Sequence, residues 1–213
     1  KIFMNSVIII KKKSISLLDS KTNSIKWTIE ESNTILGTYR LDGYIFLYTF
    51  NGWTTNYTSL IDLKTGKFHW RDKNLDIVSN CIAIDNKLFF VNKKFKIISI
   101  EIESGNQIFE EKFPYKKWYS TVYPQLVVYD GKILAYTKKN IVKVDMHAEK
   151  LIDFNFKNID LKDIVSMNDK YNISVNRYNS SGSGGDAFVY GAYAGDAGGG
   201  GGDAGGGGDG GGG

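Results

Sequence analysis

One cysteine, two histidines and no long apolar run constrain this 213-residue chain before any motif is considered. The lone Cys81 excludes an internal disulfide and leaves the redox compartment open. Its setting, Cys81-Ile-Ala-Ile84, reads as a buried, inert thiol on an apolar strand. No stretch approaches the roughly 20 consecutive apolar residues of a membrane-spanning helix. Helical periodicity persists nowhere, so strands are the expected elements. There is no Ser-His-Asp order, metal-ligand spacing, phosphate loop or dinucleotide fingerprint, and no catalytic or metal-binding residue is assigned. His69 and His147 occupy equivalent turn regions, and His69, just before Trp70, reads as a solvent-facing strand residue. No signal peptide is visible. The chain begins at Lys1 rather than Met, which leaves a removed leader, and with it the compartment (cytoplasm, or periplasm or lumen), open.

What the chain does contain is a repeated phrase. Asp19-Ser-Lys-Thr-Asn-Ser-Ile-Lys-Trp27 returns as Asp62-Leu-Lys-Thr-Gly-Lys-Phe-His-Trp70 and as Glu101-Ile-Glu-Ser-Gly-Asn-Gln-Ile-Phe109. A degenerate copy starting at Asp145 keeps the acid and the turn but not the aromatic. The copies start 43, 39 and 44 residues apart, the size of one four-stranded propeller blade. Apolar alternation before each acid is a strand ending at a turn. Gly66, Gly105 or an Asn supplies the turn, and the aromatic falls on the return strand, where a large ring can wedge between blades. A second signal runs in register: Asp42-Gly43, Asp85-Asn86, Asp130-Gly131 and Asp169-Lys170 each feed an apolar strand, as hairpin turns do.

The phrase Asp-x-x-Thr-Gly-x-x-x-Trp resembles the repeat of PQQ-like (quinoprotein-like) β-propellers, matched in full from Asp62 to Trp70 and in part from Asp19 and Glu101. The resemblance covers roughly residues 1–178 and implies an all-β propeller of four-stranded antiparallel blades. Four to five blades are visible, as a complete small ring or part of a larger one. A quinoprotein dehydrogenase of that family carries an adjacent cysteine pair and acidic calcium ligands. One cysteine rules out the pair, so the resemblance is to the non-enzymatic branch, without cofactor or metal.

In blade one the strands are Ile2–Ile10, Ser14–Leu18 and Ile25–Ile29, with the innermost strand missing. Blades two, three and four run over 33–73, 75–113 and 125–156, and a fifth begins near Ile164 and reaches Tyr178. Composition then breaks: residues 179–213 hold 18 of the 24 glycines. They read as a linker or tail, or as stand-ins for further propeller strands. With the tail's four aspartates set aside, 27 basic residues face 19 acidic ones, a formal charge of +8.

The function-bearing signal is where the lysines fall. The hairpins between each blade's second and third strands carry Lys11, Lys12 and Lys13, then Lys93 and Lys94, then Lys138 and Lys139. In blade two that position is a longer aromatic loop with Trp53 and Tyr57. The connector from blade three to blade four adds Lys116, Lys117, Trp118 and Tyr119. Lysines also populate hairpin tips for solubility alone, but basic side chains beside exposed aromatics make binding hot spots. The expectation is a non-catalytic protein-interaction module with an acidic protein partner. Nucleic acid is the lesser candidate, because +8 spread round a rim is a weak electrostatic case. Three other readings stay open: an immunity-type inhibitor of a cognate toxin, a degenerate quinoprotein-like enzyme, and a self-associating lumenal sensor.

Overall fold

The structure is a computed structural model that describes residues 6–41, 43–53, 55–118, 121–157 and 160–163, and the backbone of Asn176–Arg177. Among these the chain is all-β. The first sheet is β1 (Ser6–Lys11), β2 (Ser14–Asp19) and β3 (Ser24–Glu30). The second is β4 (Thr34–Leu41), β5 (Tyr44–Phe50), β6 (Asn56–Asp62) and β7 (Phe68–Lys73). The third is β8 (Ile82–Ile84), β9 (Lys87–Val91), β10 (Lys96–Glu101) and β11 (Gln107–Lys112). The fourth is β12 (Gln125–Tyr129), β13 (Lys132–Tyr136), β14 (Ile141–Asp145) and β15 (Lys150–Asp153). Every pairing is antiparallel between neighbours in sequence, apart from one short strand described below. These sheets are the blades of a β-propeller. The first has only three described strands, the innermost position being unfilled among the described residues.

The strands β5, β9, β10 and β13 are buried on both faces, which is why they read as near-continuous apolar runs such as Ile45-Phe-Leu-Tyr48 rather than strict alternation. The pleat still sorts them. Ile45 and Leu47 join the layer against blade one, with Ile15 and Leu17. Phe46 and Tyr48 join the layer against blade three, with Phe90, Ile98 and Ile100. A further layer, with Phe89, Phe109 and Leu126, fills the space between blades three and four.

The second periodic signal folds as tight hairpins. Asp85 and Asn86 both take positive φ, 49° and 58°, as do Asp130 and Gly131 at 49° and 67°. This is the turn that matches strand twist.

Cys81 is buried, and burial pushes its thiol up to about 12. The folded chain should therefore leave iodoacetamide unreacted at neutral pH and consume one equivalent once unfolded in urea. Rapid alkylation of the native chain would contradict this placement.

The last described strand departs from the expected fifth blade. Asn176 and Arg177 (β16) pair antiparallel with Thr38 and Gly37 of β4, so this piece of backbone joins blade two instead. The remainder of the expected fifth blade, Asp42, and all of 179–213 lie outside the described residues.

Candidate functional site

The repeat phrase builds the frame on which the site stands. Asp62 Oδ1 accepts from the amide and the hydroxyl of Thr65, at 2.7 and 2.6 Å. Burial draws this carboxyl upward, but the two Thr65 bonds, together with the nearby His69 and the Lys64 amide, hold it below the usual aspartate value. Asp19 is lowered chiefly by the Lys21 amide and by Lys26, and Asp145 chiefly by the Ala148 amide. In the copy at Glu101 the same capping is made by Ser104, whose hydroxyl donates to Glu101 Oε2 at 2.5 Å.

The residue after the acid is the junction. The Leu63 amide donates to Gly43 of its own blade's first turn, while its carbonyl accepts from the Trp27 indole of the previous blade at 3.0 Å. Ile102 repeats both bonds, with Asn86 and with Trp70 at 2.8 Å. Gly66 and Gly105 take φ of +71° and +64°, and a Cβ on either would stand within 3 Å of the docked indole ring. Two independent constraints thus demand glycine there. Asn23 and Glu149 hold the equivalent left-handed position in blades one and four. Glu149 is preceded round the ring by the smaller Phe109, which packs in the layer that holds Met146 and Leu151. At the position of the lost aromatic, Asp153 accepts from Tyr115.

With strands alternating in direction, the hairpins β1–β2, β5–β6, β9–β10 and β13–β14 share one end of the sheets with the blade-to-blade connectors. Backbone bonds tie them together there. Glu31 and Ile35 donate to the carbonyls of Lys13 and Lys12, Lys93 to Asp76, and Phe113 to Phe95. The lysines of these hairpins and connectors differ in state. Lys12, Lys13, Lys94, Lys138 and Lys139 are exposed and have no acid partner among the described residues. Lys93 is paired with Asp76 at 3.2 Å. The Lys116 ammonium lies 4.5 Å from the centroid of the Phe95 ring. Lys117 is exposed. Trp53 is 85% and Trp118 93% exposed. Tyr57 is not in the loop, as the sequence suggests, but in β6 opposite Thr49, and is half-buried. Tyr119 lies outside the described residues. His69 is exposed on β7 and meets Tyr44 edge-on at 5.1 Å.

Phe95 and Tyr123 were not legible as site residues. Their rings stack at 4.3 Å, and the Tyr123 hydroxyl reaches the Lys93 carbonyl at 3.5 Å, stapling the connector onto the blade-three hairpin. The Trp53 loop is also pre-set: Asn51 Oδ1 accepts from the amides of Trp53 and Thr55, and Gly52 takes φ of +88°. Among the described residues no group of three or more His, Cys, Asp or Glu converges as a metal site. No described helix is long and apolar enough to cross a membrane.

No protein-family model matches the chain, and no curated protein matches it by sequence. Several solved structures are similar to part of it. BamB from Moraxella catarrhalis is 13% identical at a TM-score of 0.47, over 69% of this chain and 48% of that one. The N-terminal domain of Nup159 is 13% identical at 0.46, over 65% and 42%. A europium-containing methanol dehydrogenase is 19% identical at 0.37, over 49% and 22%. The chain spans less than half the length of each. The propeller assignment rests on the four-stranded blades and their docked aromatics.

Proposed function

We propose that this chain is a non-catalytic propeller of the PQQ-like kind that holds an acidic protein partner on its lysine- and aromatic-bearing rim. The observation that carries the reading is the stapled corner of blade three. There Phe95, Tyr123 and Lys116 lock the connector against the hairpin, with unpaired Lys94 and exposed Trp118 on the same stretch of surface. A surface already fixed in place loses little entropy on binding. Exposed cations contribute mainly to encounter rate and register, and their effect is screened by salt.

The test is made on the intact chain. A partner is isolated on the immobilised protein and identified, and its affinity is measured at low ionic strength against the chain with Lys93, Lys94, Lys138 and Lys139 changed to Glu. About a tenfold or larger loss, carried mostly by slower association, is expected for a set of rim charges. Unchanged affinity at low salt would overturn the rim as the docking face.

A further inference from the structure

Two of the chain's four tryptophans belong to the fold, and two do not. Trp27 and Trp70 end copies of the repeat phrase, and their indoles donate to Leu63 and Ile102 of the next blade. Trp53 and Trp118 fall outside the phrase and stand almost fully exposed. Both lie at the end of the sheets where the lysine hairpins meet the connectors. Trp53 sits in 51–55, the longest of the four hairpin loops there. Its backbone is already fixed by the Asn51 side chain, so engaging the ring orders little further chain. Trp118 sits in 113–124, the longest of the three connectors between described blades, together with the exposed Val122.

The charges are sorted between the two ends as well. In the loops 12–13, 51–55, 92–95, 113–124 and 137–140 every charged residue is a lysine. The other two connectors hold one carboxylate each, Glu31 and Asp76, and both are already paired, with Arg71 and Lys93. Glu30, opposite Ser14 at the edge of this region, is exposed, and Lys11 stands exposed on the same hairpin. The described turns at the opposite end mix the two signs, with Lys21, Lys64 and Lys67 set against Asp85, Glu103, Asp130 and Glu149. The excess positive charge is therefore gathered at the end that carries the two exposed tryptophans. Its loop cations are lysines, not arginines. Arginine's planar fork suits carboxylates held in fixed geometry, whereas lysine is a point charge on a flexible stem. A layer of acidic headgroups offers charge of that unfixed kind across several blades at once. Each lysine near such a surface strengthens binding about fivefold, and indole rings settle at headgroup level.

We propose that this end of the propeller docks on a bilayer surface rich in acidic phospholipid, with Trp53 and Trp118 seated among the headgroups. The inference goes beyond the protein partner and does not depend on it, since Lys12, Lys13 and Trp53 lie away from the stapled corner of blade three.

The intact chain is sedimented with sucrose-loaded vesicles of phosphatidylcholine, and with vesicles in which a third of that lipid is replaced by phosphatidylserine. Binding is expected to the acidic vesicles alone, and it should fall away in concentrated salt. Changing Lys12 and Lys13 together to Ala should weaken it about tenfold or more. Changing Trp53 and Trp118 together to Ala should weaken it about tenfold, through the lost apolar contact. All four side chains are exposed, and an unchanged urea midpoint confirms that each variant is folded. Vesicles with brominated acyl chains should quench the fluorescence of the native chain and spare the Trp53→Ala, Trp118→Ala variant, because Trp27 and Trp70 are docked between blades. Equal binding to neutral vesicles, no binding to acidic ones, or undiminished binding of either double variant overturns the proposal. Displacement by glycerophosphoserine would mean a pocket for one headgroup and overturns it too. So does binding of polyglutamate or a single-stranded oligonucleotide in place of the vesicles, which would assign this end to a soluble polyanion. The vesicle assay contains no protein partner and the partner measurement contains no lipid, so either reading can fail alone.

Discussion

Replacing Trp70 with Ala should lower the stability of the chain by about 3–5 kcal/mol, the range for removing a large buried ring. The side chain is 7% exposed, lies in the layer between blades two and three and meets Phe46 edge-on at 5.9 Å. It also performs a second task. Its indole N–H satisfies the Ile102 carbonyl in a buried setting, at 2.8 Å. The two contributions separate in Trp70→Phe, which keeps most of the ring and forfeits the bond. That variant should cost about 1–3 kcal/mol, the penalty for an abandoned buried acceptor. Equilibrium urea unfolding measures both. A Trp70→Phe midpoint matching the native one would mean that the ring acts by packing alone, as Phe109 does one blade later.

Arg71→Ala should be nearly as damaging, at about 3 kcal/mol, because it strands a charge rather than removing a contact. The Glu31 side chain is 1% exposed; one oxygen meets Arg71 and the other has no partner among the described residues. Removing one member of a buried pair leaves the other uncompensated, which costs about 3–5 kcal/mol when both are buried. Arg71 is 43% exposed, and its guanidinium also covers the Phe68 ring at 4.5 Å, so the lower end applies. Changing Glu31 and Arg71 together to Leu should recover most of the loss, since the buried Phe113, twelve residues after Glu101 as Glu31 is after Asp19, shows that this position of the repeat accepts an apolar side chain. In a double-mutant cycle the pair should couple by about 1–3 kcal/mol. Additive single losses would show that each residue acts through separate neighbours.

The repeat phrase was legible because hairpin chemistry is local. An acid, a hydroxyl and a left-handed residue cap a turn whatever surrounds it, so Asp62, Thr65 and Gly66 signalled their roles directly. The same locality exposed the basic rim: strand alternation places the Lys12, Lys93 and Lys138 hairpins at one end without tertiary information. Tyr57 was misplaced because strand β6 begins at Asn56, earlier than the loop's composition suggests. Phe95 and Tyr123 escaped notice because their stack joins residues 28 apart, and nothing near either one announces the other.

The Gly105 requirement shows the boundary best. Its positive φ follows from the turn, and any reading of Ser104-Gly105-Asn106 finds it. That its missing Cβ also admits the Trp70 ring is visible only when blade three is laid against blade two. The period, the blade type and the end that carries the lysine and aromatic hairpins were written in the sequence, because these are set by contacts within one hairpin or by strand parity. Which lysines are already paired and which rings are locked emerged only in three dimensions, because these depend on side chains brought together from separate hairpins, connectors and blades.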